Sequence, residues 1–194
     1  MIKVGVLALQ GDFKEHIQVM RRLQVSAVEI RMPRDLNQVD GLIIPGGEST
    51  TIGKLAVQFD LIEPLRKFAQ HNPIWGTCAG MIFLAKKIDR TQPSLGIMDI
   101  VVARNAFGRQ IDSFQIDLDI PVLDQFKPAS FPGVFIRAPR LVAVDGAAQI
   151  LARLPDGTGV AAREGHWLVS AFHPELTDDD RFHRYFLSLI TKRN

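Results

Sequence analysis

Four short apolar runs constrain this 194-residue chain more than any other feature. Ile2 to Leu9 is almost continuously apolar, as expected for a strand covered on both faces. Val25 to Ile30 reads as a second strand, Gly41-Leu42-Ile43-Ile44 as a third and Ile74 to Thr77 as a fourth. Helical stretches separate them. Phe13, Ile17 and Met20 stand at i, i+4 and i+7 on a helix that Asp12 can cap. Ser49-Thr50-Thr51 opens another helical region, and Leu61 to Ala69 continues it. This alternation predicts a parallel sheet with helices on both faces. No composition break, repeat or flexible linker interrupts it, so residues 1–194 read as one domain, long enough to bury a large core.

The second half is richer in strands. Ile97 to Ala103, Ser113 to Ile120, Gly133 to Ile136, Gln149 to Leu154, Gly159 to Arg163 and Trp167 to Phe172 read as strands between glycine and proline turns. Phe182, Tyr185, Phe186 and Leu189 mark one face of a terminal helix. Lysine and arginine number 23 against 21 acidic residues, a net charge of +2. That balance gives no strong field for nucleic acid or membrane. A lone cysteine forms no internal disulfide and suits a reducing cytoplasm. The apolar N-terminal run is too short for a bilayer and lacks the flanks of a signal peptide.

The chemistry centres on that cysteine. Cys78 stands in Gly76-Thr77-Cys78-Ala79-Gly80, between the apolar strand ending at Thr77 and the apolar run Met81 to Ala85. Strand, glycine-framed nucleophile and helix form the layout of a nucleophile elbow, with glycines to relieve strain and bulk at the turn. A helix N-terminus facing the sulfur favours its charged form. A lone cysteine is more often a small buried hydrophobe. What argues otherwise is His173-Pro174-Glu175, which closes the run Trp167 to Phe172. In an extended segment residues i and i+2 point the same way, so Glu175 can orient the His173 imidazole while it takes the thiol proton. Pro45-Gly46-Gly47-Glu48-Ser49-Thr50 offers close-approaching backbone N–H groups for an oxyanion, or a helix start capped by Ser49. It is no phosphate loop, since no Gly-Lys-Ser/Thr ending follows and Glu48 repels phosphate. Arginines at strand ends, Arg104 and Arg137, can pair with a substrate carboxylate, although chemistry alone favours solvated surface charge. His16, His71, His166, His173 and His183 form no metal-binding pattern, and Leu9-Gln10-Gly11-Asp12 replaces any dinucleotide fingerprint.

These residues resemble the class I glutamine amidotransferases. More specifically, the chain is similar to the glutaminase subunits of pyridoxal 5′-phosphate synthase, the PdxT/SNO family. The resemblance rests on Leu9-Gln10-Gly11, Glu15-His16, residues 45–51, residues 76–80, Asp112-Ser113-Phe114 and Ser170 to Thr177, with 104–110 and 135–139 as its specific segments. Gln92 to Gly96 and Asp124 to Pro132 contribute nothing to it. The resemblance implies a flavodoxin-like three-layer α/β/α fold with a mostly parallel central sheet. It makes Cys78 the nucleophile, His173 the base and Glu175 its partner. It assigns Gly47, Glu48, Ser49, Arg104, Ile136 and Arg137 to L-glutamine, and the N–H groups of Gly47 and Ala79 to the oxyanion hole. It puts Gln10 near an interface with a (β/α)₈-barrel synthase subunit in a large hetero-oligomer, which receives the ammonia. It implies no cofactor and no metal. Two rival readings differ in class: another cysteine hydrolase on the same elbow, such as a γ-glutamyl peptidase, and a binding module in which Cys78 is only packed.

Overall fold

The computed structural model describes residues 2–104 and 113–192. The segment 105–110 and Asp112 of the resemblance lie outside them. The first half runs β1 (Lys3–Leu7), α1 (Phe13–Arg22), β2 (Ser26–Ile30), β3 (Gly41–Ile44), α2 (Ser49–Gln58), α3 (Ile62–His71), β4 (Ile74–Thr77) and α4 (Ala79–Leu84). The second runs β5 (Ala85–Ile88), β6 (Met98–Ala103), β7 (Ser113–Leu118), β8 (Phe131–Ile136), β9 (Arg140–Val144), β10 (Gln149–Arg153), β11 (Gly159–Glu164), β12 (Trp167–Ser170) and α5 (Arg181–Thr191). No helix among the described residues is long and apolar enough to cross a membrane.

The main sheet has the order β2-β1-β3-β4-β12-β11-β9-β6-β5, with β10 also on β11. From β2 to β12 every pairing is parallel, as the buried apolar runs demand. β1, β3 and β4 are buried almost throughout. Beyond β12 the sheet turns antiparallel through β11, β9 and β6, and ends on the parallel pair β6–β5. β7 and β8 stand apart as an antiparallel ribbon.

Adjacent residues of β4 show the two faces of the sheet, because side chains alternate along a strand. Trp75, fully buried, meets the rings of His16 on α1 and of Phe182, His183 and Phe186 on α5. Gly76 points the other way, where a Cβ would come within 2.5 Å of the Gly80 backbone on α4. A Cβ on Gly80 would in turn collide with the carbonyl oxygen of Ile44. Glycine at both positions lets α4 lie directly on β3 and β4.

Two strands escape the sequence pattern. β5 continues the apolar run of α4 with no break residue, and its exposed Lys86 and Lys87 mark it as a sheet edge. β9 starts beside Pro139 and exposes Val142, so its alternation is weak. β12 ends at Ser170, two residues short of the apolar run, because Ala171–His173 leave the sheet. Asp12 occupies the N-cap of α1 but makes no side-chain capping bond. Glu48, not Ser49, caps α2, accepting from the Thr50 and Thr51 amides.

Trp75 fills the junction of β4, α1 and α5. Trp75→Ala is expected to cost about 3–5 kcal/mol of stability, read from the urea midpoint at constant m-value.

Candidate active site

In parallel sheets, ligands bind beyond the carboxyl ends of the strands. Here the residues after β1, β3, β4 and β12 converge there. Cys78 directly follows β4 with φ 48° and ψ −103°, so the cysteine itself carries the backbone strain of the elbow. The flanking glycines supply lack of bulk, not positive φ. Cys78 N–H donates to the carbonyl of Ser170 at 2.7 Å, tying the nucleophile to the end of β12. Its Sγ lies 3.9 Å from the carbonyl oxygen of Ile136. α4, which follows, is only six residues long and receives no side-chain capping bond from Cys78.

His173 stands three residues past β12, and its N–H donates to Val134 of β8 at 2.8 Å. It precedes a 3₁₀ turn, Pro174–Leu176, rather than an extended segment. Proline at the first position suits that turn because its φ is preset. The turn still folds Glu175 back, and Oε1 lies 2.6 Å from His173 Nδ1. Both side chains are buried. Burial pushes the His173 pKa down, but hydrogen bonds to Cys78 and Glu175 and their charges outweigh it, and the value is pushed up to about 10. Burial raises the Glu175 carboxyl, yet His16 and the His173 hydrogen bond more than offset it and hold it below the usual range. The second carboxylate at His173 is Asp12, whose Oδ2 lies 3.6 Å from Nδ1. Partial burial raises its pKa. As a candidate helix cap, Asp12 carried no signal in the sequence for this place. Asp12, His173 and Glu175 offer ligand atoms within 4.8 Å of one another, but Nδ1 is already taken up by Glu175, so the set serves the imidazole better than an ion.

A cleft of about 510 Å³ opens over Cys78 and His173. Gly47, Glu48, Ser49, Ala79, Arg104, Ile136 and Arg137 all border it. The Glu48 carboxylate is partly desolvated, which raises its pKa, but hydrogen bonds from Thr51 and Thr50 pull it to about 2. Arg104 donates to it at 3.2 Å, and to Thr50 Oγ1 and Gln92 Oε1 at 3.1 and 2.9 Å. An ion pair of fixed orientation therefore sits at one end of the cleft. Ser49 is buried, with its hydroxyl donating to Gln92 Oε1 at 3.3 Å. Gln92 thus braces two border residues, although the sequence around it carried no signal. Arg137, like Cys78, has a positive φ, 44°. Gln10 lies beside the cleft: its Oε1 accepts the Glu48 N–H at 2.6 Å. At Gly11, φ is +95° and a Cβ would collide with the Gly46 carbonyl oxygen. The 10–12 and 46–48 loops are therefore locked together.

Solved structures share this layout. A crystal structure described as a glutamine amidotransferase matches with TM-score 0.90 and 48% identity, over 97% of this chain and 98% of the other. The PurLQS structure from Thermotoga maritima matches with TM-score 0.74 at 14% identity, over 96% of this chain and 98% of the other, and supports the fold alone. Fold and cysteine elbow together place the molecule among the class I glutamine amidotransferases. The SNO glutamine amidotransferase family model matches residues 6–192. Relatives named pyridoxal 5′-phosphate synthase subunit PdxT are 55% identical in Carboxydothermus hydrogenoformans, over 98% of this chain and 99% of the relative, and 57% identical in Herpetosiphon aurantiacus, over 96% and 99%. The chain belongs to the SNO glutamine amidotransferase family.

The raised value of His173 makes a pH prediction. Its folded pKa of about 10 exceeds the ordinary 6.5, so its proton stabilises the folded state. That contribution is complete below pH 6.5 and is lost as pH rises through about 10. The stability gap between the wild type and His173→Gln should shrink over this range. In NMR, His173 should titrate near 10, and at lower pH in Cys78→Ala.

Proposed function

We propose that this chain hydrolyses L-glutamine to L-glutamate and ammonia and supplies the ammonia for pyridoxal 5′-phosphate synthesis. The observation that carries this reading is the meeting of Cys78 and the His173–Glu175 pair under a cleft that ends in the Glu48–Arg104 ion pair. Glutamine has a reacting amide at one end and an ammonium and carboxylate at the other. Glu48 suits the ammonium and Arg104 the carboxylate, while Gly47, Ser49, Ile136 and Arg137 shape the space between.

The steps follow from the groups present. His173 takes the thiol proton, and its hydrogen bonds to Cys78 and Glu175 favour the protonated ring that results. Sγ attacks the side-chain amide carbon, and the negative oxygen lies against the N–H groups of Gly47 and Ala79. One such donor is worth about 3 kcal/mol in the transition state. The C–N bond breaks as His173 gives its proton to the departing nitrogen, leaving a γ-glutamyl thioester and ammonia. Acylated sulfur no longer supports the imidazolium, so His173 becomes a better acid at the moment it must give up its proton. Water then attacks the thioester, His173 takes the water proton, and collapse releases glutamate and returns the proton to sulfur.

Ammonia released into bulk water protonates and is lost as a nucleophile, so a partner that receives it directly is expected. The relatives are named as synthase subunits, which supports such a partner. We take it to be a (β/α)₈-barrel subunit in a hetero-oligomer that docks at Gln10. Gln10 holds the Glu48 N–H next to the oxyanion peptide, so docking there can reset Gly47 and switch the glutaminase on. We read residues 1–194 as one glutaminase domain at work in a reducing cytoplasm, where the lone cysteine stays a thiol.

The test is ammonia and glutamate release from L-glutamine, with and without the synthase subunit, beside Cys78→Ala. Release that needs the partner and vanishes in the variant is expected. No release in either condition overturns the reading and points to γ-glutamyl peptides. Release unchanged in Cys78→Ala would reduce the cysteine to packing.

A further inference from the structure

His16 takes no part in the steps above, yet it lies fully buried behind the triad. Its Nε2 is 3.4 Å from Glu175 Oε2 and 3.3 Å from the hydroxyl of Thr77, the residue before the nucleophile. Its Nδ1 is 3.0 Å from Nε2 of His183, itself fully buried on α5. Glu175 therefore faces two imidazoles, His173 through Oε1 and His16 through Oε2. Oε2 is buried and makes no hydrogen bond among the described residues; the His16 ring nitrogen at 3.4 Å is its ion-pair neighbour.

Hydrogen-bond accounting selects one tautomer for this chain. With the proton on Nε2, His16 donates to the Thr77 hydroxyl and brings the positive edge of its ring within 3.4 Å of Glu175 Oε2. Its Nδ1 then accepts from His183 Nε2–H, and His183 Nδ1 is left as a bare acceptor. That atom is indeed buried without a partner. The opposite tautomers would strand a buried N–H at His183 Nδ1 and turn the His16 lone pair onto a carboxylate. Both consequences are unfavourable. Burial lowers the pKa of His16 and lowers that of His183 further, so both rings stay neutral near pH 7.

We propose that His16, set in its Nε2–H tautomer by His183, is a positioning residue that holds the second oxygen of Glu175 and so fixes the orientation and basicity of His173. The proposal rests on the Cys78–His173–Glu175 reading and extends the triad inward to α1 and α5. It gives a role to Glu15-His16, a motif the chemistry had left unused. The charged and titratable groups facing this chain are Glu175 and His173 from the turn after β12, Asp12 and Glu15 at the start of α1, and Arg22 at its end.

Two measurements test it. In the first, ¹⁵N-histidine NMR on the free wild-type chain should show His16 and His183 both protonated at Nε2. A His16 proton on Nδ1 would overturn the proposal. In the second, the complex with the synthase subunit is assayed for glutamine hydrolysis across pH. His16→Leu should lower kcat roughly tenfold, the scale of one lost polar contact, with KM nearly unchanged. Without the N–H the Glu175 carboxylate is easier to protonate, so the acid limb of the kcat profile should move to higher pH. His16→Gln, whose amide N–H reaches the same place, should restore most of kcat and the wild-type limb. Equal loss in both variants with an unmoved limb would reduce His16 to packing and overturn the proposal. The NMR arm decides the matter even if the wild-type complex releases no ammonia, a result that would strike the glutaminase reading instead.

Discussion

The parallel pairing of β4 with β12 brings Cys78 and His173 together. Ile74 is level with Trp167 and Thr77 with Ser170, so both strands end at the same height. Cys78 emerges one residue past that line and His173 three residues past it. The bond from Cys78 N–H to Ser170 carbonyl locks the register at the point where it matters. A shift of one residue along this pair would turn the side chains of β12 to the opposite faces and remove His173 from the sulfur. The rest of the fold secures this alignment: Trp75 anchors β4 to α1 and α5, and Gly76 and Gly80 let α4 sit directly on the sheet.

On that frame the site stores strain and charge. Cys78 and Arg137 both keep positive φ on the border of one cleft, conformations that persist only where packing dictates them. Glu175 is a buried carboxylate that survives because imidazoles approach both of its oxygens. Glu48 is more exposed and is held ionised by the start of α2, where it receives two backbone amides and the Thr51 hydroxyl. The two carboxylates thus have different duties. One tunes the base, and the other presents a fixed negative charge to the cleft. The 10–12 loop touches both regions, Asp12 at His173 and Gln10 at Glu48, so a force on that loop reaches both together.

Much of this was legible in the linear pattern. The runs at β1, β3 and β4 announced a parallel sheet because strands buried on both faces read as continuously apolar. Gly76-Thr77-Cys78-Ala79-Gly80 announced the elbow because the turn tolerates no bulk. Less legible were β5, whose apolar start merges with α4, and β9, which exposes half of its side chains. Asp12 read as a helix cap because local rules see only its own helix. Ser49 read as a cap for the same reason, although Glu48 reaches the same amides with a longer arm.

By itself the sequence determined the class of fold and the elbow, and it marked Cys78, His173 and Glu175 as the candidate nucleophile, base and carboxylate, because these follow from periodicity and from residue types at short spacing. Only the tertiary structure decided which distant groups surround them. His16 on α1, Thr77 on β4, Glu175 after β12 and His183 on α5 meet in one buried chain. Gln92 braces Arg104 and Ser49 across the cleft wall. Such meetings depend on strand order and on which face each helix covers, and no local pattern encodes either.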